Sequence, residues 1–164
     1  MKNITTTLCA ALLTLAPASL FSQEATEPKE EKKAEVTIAR EIKITCNDAM
    51  QFDTKALELK AGETVKITLE NVGKAPKVAM GHNLVILKSG ANLMAFAMKA
   101  QTARESDYIP TDKETADMML VHTKLLGPGE SDSIVFTPPA AGSYEFLCTF
   151  PGHFALMKGV ITVK

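Results

Sequence analysis

Cys148, His153 and Met157 stand within ten residues of one another in the stretch CTFPGHFALMKG, residues 148–159. A thiolate, an imidazole and a thioether together suit copper that changes between its two oxidation states. Two His and one Cys in a trigonal set, with a weak axial Met, is the arrangement used for electron transfer. The spacing is Cys-x4-His-x3-Met, and a turn through Pro151 and Gly152 lets the three side chains converge. The fourth donor must come from elsewhere, and outside this loop the chain offers only His82 and His122. His82 follows Gly81 and opens the run HNLVILK, whose continuous apolar character is that of a buried central strand. It is the better candidate. His122 sits in the strand-like MMLVHTKL without another donor beside it, and is expected as a surface or partly buried strand residue.

A disulfide is the rival use of Cys148. The stretch MKNITTTLCAALLTLAPASLFS, residues 1–22, has an early Lys2, an apolar centre over 8–15 and small residues beyond it. This is the pattern of a secretory signal peptide. Its apolar part is too short to span a membrane, which takes about 20 residues. Cleavage is expected after Ser22, with Ala16-Pro17-Ala18 as the alternative, and Cys9 lies too early and too deep in the apolar part for lipid attachment. Periplasmic export follows, and in an oxidising compartment two cysteines pair by default. Cys46 and Cys148 are those two. A disulfide would deny Cys148 the thiolate that copper needs, so Cys46 is expected to be a buried free thiol, with an intermolecular crosslink as the alternative.

The elements that must position these donors are mostly strands. Residues 23–35, QEATEPKEEKKAE, carry five Glu and three Lys and read as a flexible charged leader. Residues 36–164 form the domain. Alternating or β-branched runs recur at 36–45, 56–60, 64–71, 82–88, 118–125, 131–137, 142–148 and 159–164, separated by Gly and Pro. Leu93, Met94, Phe96, Ala97 and Ala100 instead fall at near-helical spacing, which predicts one short helix at about 91–103. The expectation is an all-β protein: an eight-stranded antiparallel Greek-key sandwich with one inserted helix.

Charge excludes some functions. The domain holds 14 basic and 14 acidic residues, which does not favour a polyanion, so no nucleic acid is expected. Nor does it contain a basic amphipathic helix for a membrane surface.

The loop, together with AMGHNLVI (79–86), NDAMQF (47–52) and VHTKLLGPGESDSIVF (121–136), resembles the azurins, bacterial blue copper proteins of the cupredoxin family. The likeness runs from about residue 40 to the C-terminus. It implies one mononuclear type 1 copper held by His82, Cys148 and His153, with Met157 weakly axial and the Gly81 carbonyl opposite. It further implies that Asn83 and Thr149 tie the two ligand segments together, and that the Phe150 amide donates to the Cys148 sulfur. Met50, Ala79, Met80, Phe150, Pro151, Ala155 and Leu156 would form an apolar rim around His153 for docking, with Lys74 and Lys77 nearby. The implied role is a monomeric electron carrier, not an enzyme, exchanging with c-type cytochromes or with copper or haem reductases. A copper enzyme would need further centres, and only His122 is left to build one. A copper store would be marked by exposed Met or His tracts, which the leader lacks. Three departures accompany the likeness: Arg40 and Glu63 stand where the family usually has a disulfide, Cys46 where it has no cysteine, and Leu84 where it has a buried tryptophan.

Overall fold

Alternation turns into strands over most of the domain. A computed structural model describes residues 36–164, and the expected signal peptide and charged leader lie outside the described residues. The strands are β1 (Arg40–Asn47), β2 (Gln51–Phe52), β3 (Ala56–Leu59), β4 (Val65–Asn71), β5 (Val85–Leu87), β6 (Met119–His122), β7 (Ser131–Phe136), β8 (Gly142–Leu147) and β9 (Lys158–Val163). They form two sheets, ordered β2-β1-β4-β7 and β3-β9-β8-β5-β6. In β4, Val65, Ile67, Leu69 and Asn71 are buried while the residues between them are half-exposed. Such a strand offers one face to a core and one to water. One shared core receives Ile44, Ile67, Leu69 and Ile134 from the first sheet and Leu84, Ile86, Phe146 and Ile161 from the second.

The sandwich is as expected, but not wholly antiparallel. β1 runs parallel to β4 from Arg40↔Val65 to Cys46↔Asn71, and β3 runs parallel to β9. Both sheets are therefore mixed. The additional strand β2 has only two residues, too few for alternation to reveal. Where β9 starts, Gly159 pairs with Phe146, and a Cβ there would run into the Phe146 ring and the Lys55 carbonyl. Only glycine fits that crossing.

Three short helices join the strands: α1 (Lys77–Met80), α2 (Leu93–Ala100) and α3 (Lys113–Ala116). The expected helix at 91–103 is α2, started by Asn92, whose side chain accepts from the Ala95 amide at 3.0 Å. Beyond Ala100 the chain turns and tightens into a 3-10 segment, Arg104–Ser106, ended by Asp107 in a left-handed conformation. Leu93, Phe96, Ala97 and Ala100 pack on Val85, Leu87 and Leu147. Because α2 covers its outer face, β5 is buried on both sides, and this explains the unbroken apolar run at 84–87. No helix among the described residues is long and apolar enough to cross a membrane. Arg40 and Glu63 face each other as an ion pair, Nε to Oε1 at 3.6 Å, and Arg40 also donates to the Glu58 carbonyl at 2.7 Å. Cys46 and Cys148 are both free thiols.

Candidate metal centre

The connection between β8 and β9 carries three of the predicted donors. The last register pair of these strands is Leu147↔Lys158, and the Cys148 amide then donates to the Met157 carbonyl at 3.0 Å. That bond closes the loop at its neck. Inside it, Gly152 takes a positive φ of 83° and starts a 3-10 turn, His153–Ala155. The His153 amide donates back to Phe150 at 3.0 Å, and the Met157 amide to His153 at 2.8 Å. Glycine meets this φ without steric cost.

His82 arrives from the neighbouring strand. It lies just before β5, in a two-way bridge with Leu126: His82 N to Leu126 O at 3.1 Å and Leu126 N to His82 O at 2.7 Å. Since β5 and β8 pair antiparallel at Val85↔Leu147, the start of β5 lies beside the end of β8. Gly81 must be glycine here, because a Cβ would lie 2.8 Å from the Lys77 carbonyl and 3.1 Å from Leu125.

One ligand atom each from His82, Cys148 and His153 lie within 4.8 Å of one another, and all three residues are buried. Cys148 Sγ is 3.7 Å from His153 Nδ1. The two imidazole rings are 4.9 Å apart, tilted by 37°. Neither ring nitrogen of His82 has a hydrogen-bond partner, although both are sealed from solvent. Buried polar atoms are nearly always paired. One nitrogen of His82 lies in the cluster with the thiol and the second imidazole, and a metal ion there would satisfy it, while the Asn47 backbone lies near the ring as a further influence. The donor set of two imidazoles and one thiolate suits copper. Met157 is completely buried at the end of the same loop.

Burial also sets the protonation of the donors. It pushes the Cys148 thiol up to about 11, against the pull of the Asn83 and Phe150 backbone amides, which favour the thiolate. It lowers His153 to about 4, helped by the nearby His82, and lowers His82 against smaller contributions from Asp48 and the Asn47 backbone. Both imidazoles are thus neutral at ordinary pH, as metal ligands must be.

The tie between ligand segments is reciprocal. Asn83 Nδ2 donates to Thr149 Oγ1 at 2.7 Å, and the Thr149 amide donates to Asn83 Oδ1 at 2.8 Å. Both residues are fully buried. The Leu84 amide donates to Thr123 Oγ1 at 2.9 Å, a brace from the β6 side that the sequence reading did not single out. The Asn83 amide on the Cys148 sulfur was likewise missed, since spacing does not reveal where a backbone N–H points. His122 is exposed, hydrogen-bonded to the Thr123 carbonyl, and apart from the cluster.

The apolar rim needs one correction. Ala79, Pro151, Ala155 and Leu156 are exposed and Met50 and Met80 half-buried, but Phe150 is buried at 8 % exposure. Its ring lies 4.7 Å from that of His153 and meets Tyr108 edge-on at 5.1 Å, so it supports the ligand rather than facing solvent. Val78, 86 % exposed in α1, was not foreseen. Lys74 is exposed, while Lys77 is half-buried and lines a cleft with Val78, Arg104, Tyr108 and Phe150.

The copper-binding plastocyanin/azurin family matches residues 38–164. The chain is similar to azurin of Pseudomonas fluorescens biotype C, 40 % identical over 131 residues, which cover 76 % of this chain and 99 % of that one. It is 42 % identical over 123 residues to outer membrane protein H.8 of Neisseria gonorrhoeae, covering 73 % of this chain and 65 % of that protein's length. Among solved structures, reduced auracyanin from Roseiflexus castenholzii superposes with a TM-score of 0.66 at 38 % identity, over 76 % of this chain and 96 % of that one.

Proposed function

The chain belongs to the plastocyanin/azurin family of copper-binding proteins, and on that premise we propose that it is a periplasmic one-electron carrier with a single mononuclear type 1 copper. The observation that carries this reading is the buried triangle of His82, Cys148 and His153, in which the His82 ring nitrogen has no hydrogen-bond partner. Copper bound there supplies a one-electron change between its two oxidation states. In this reading Met157, buried at the end of the same loop, and the Gly81 carbonyl would be the further, weaker donors to the metal.

The chain's own residues do the rest. Cys148 loses its proton when it binds the metal, and the Asn83 and Phe150 amides stabilise the resulting thiolate. The Asn83–Thr149 pair holds the two ligand segments in one relation, so oxidation and reduction need little movement. Burial of all three donors keeps water from adding to the site. Electrons pass through the His153 edge, around which Ala79, Met80, Pro151, Ala155 and Leu156 form the docking rim, with Met50 beside them and Val78 as an addition. Such a contact suits brief redox encounters of small area, with c-type cytochromes or copper or haem reductases as partners and the carrier itself a monomer. Export is supported by the signal-like sequence at 1–22 and by the likeness to a protein named for the outer membrane.

The test is the visible and paramagnetic-resonance spectrum of the copper-loaded protein. An intense blue colour that bleaches on reduction, and is absent from Cys148→Ser, is the expected result. A blue Cys148→Ser variant would refute Cys148 as the ligand.

A further inference from the structure

Gln101 follows the last residue of α2, and its side chain makes two hydrogen bonds. Its Oε1 accepts from the Gly152 amide at 3.2 Å, and its Nε2 donates to Met98 Sδ at 3.4 Å. The two contacts complement each other, because donation to sulfur on one side leaves the oxygen aimed at Gly152 on the other. Gly152 directly precedes His153 and begins the turn that carries it. The other bonds of that turn, His153 N to Phe150 O and Met157 N to His153 O, stay within the loop. They fix its internal shape. They do not fix its position against the layer outside the sheet.

That layer is firm where Gln101 leaves it. The Gln101 amide caps the helix by donating to the Ala97 carbonyl at 3.1 Å, and Phe96, Ala97 and Ala100 are fully buried on the sheet. A side chain fixed at both its root and its end transmits that firmness to Gly152. We propose that Gln101 is a positioning residue for the metal loop, tethering the His153-bearing turn to α2 and so slowing both loop opening and the escape of copper. This rests on the copper-carrier reading above. A single neutral hydrogen bond between partly exposed groups predicts an effect of about two- to ten-fold.

The experiment compares wild type with Gln101→Leu, which loses the acceptor, and Gln101→Glu, which keeps it. Amide hydrogen exchange at Gly152 is followed in the metal-free proteins, and copper(II) release to a chelator in the loaded ones. Expected for Gln101→Leu is an unchanged blue spectrum with Gly152 exchange and copper release each about two- to ten-fold faster, and both restored in Gln101→Glu. Gly152 exchange or copper release equal to wild type in Gln101→Leu would overturn the proposal, as would Gln101→Glu behaving like Gln101→Leu. A wild-type protein that takes up no copper would sink the carrier reading and with it the role in retention. The tether itself would then be decided by Gly152 exchange.

Discussion

At the scale of single residues, the donors are held in forms that cost the metal-free protein stability under acid. His153 titrates near 4 in the fold and His82 is also lowered, whereas an unfolded histidine titrates near about 6.5. Below that value the unfolded chain binds more protons than the native one, so native stability falls with pH. The metal-free protein is therefore expected to lose denaturant resistance progressively from about pH 6.5 down through the His153 value of about 4, as urea midpoints across that range will measure. His153→Gln should flatten the slope. Met157 belongs to the same scale. Replacing its thioether with the similar volume of leucine is expected to keep the blue colour and raise the reduction potential, because a weak donor to the oxidised ion has gone. Voltammetry checks this, and an unchanged potential would count against Met157 as a ligand.

At the scale of elements, the loop and the strands were legible in the sequence to different degrees. Cys148, His153 and Met157 lie on one short connection, so their spacing alone pointed to a common centre. His82 was reached by choosing between two histidines, and its place beside the loop depends on β5 pairing with β8. Alternation located the long strands, since one face meets the core. It could not reveal the two-residue β2 or the parallel direction of β1 on β4, because register and direction arise from long-range pairing. Phe150 was misplaced onto the rim for a related reason: an aromatic residue in a loop looks exposed until the ring of Tyr108 is found against it. Tyr108 itself sits at a φ of 64°, which no pattern of apolar residues announces. The helix α2 was found by its spacing, and its importance lies in covering β5. Phe96→Ala should remove a fully buried ring from between α2 and that strand and destabilise the domain by about 3–5 kcal/mol, as chemical unfolding of the metal-free protein will show.

At the scale of the whole molecule, the domain carries equal numbers of acidic and basic residues. Long-range steering of partners by charge is then slight. Electron exchange between copies of the protein is expected to change less than about three-fold between low and physiological salt, a measurement open to stopped-flow or line-broadening methods. Stability is also distributed in a particular way. Where the azurin resemblance implies a covalent bridge, this chain has Arg40 and Glu63 as a partly exposed ion pair. Such a pair contributes about 0–1 kcal/mol, against about 2–4 kcal/mol for a typical disulfide. What the fold forgoes in strength it gains in independence from oxidants. Its strands can pair and its core can close in the presence of dithiothreitol or in the reducing interior of a cell, with no isomerase to sort its sulfurs. Cys148 then reaches the finished fold as a thiol, ready for its metal.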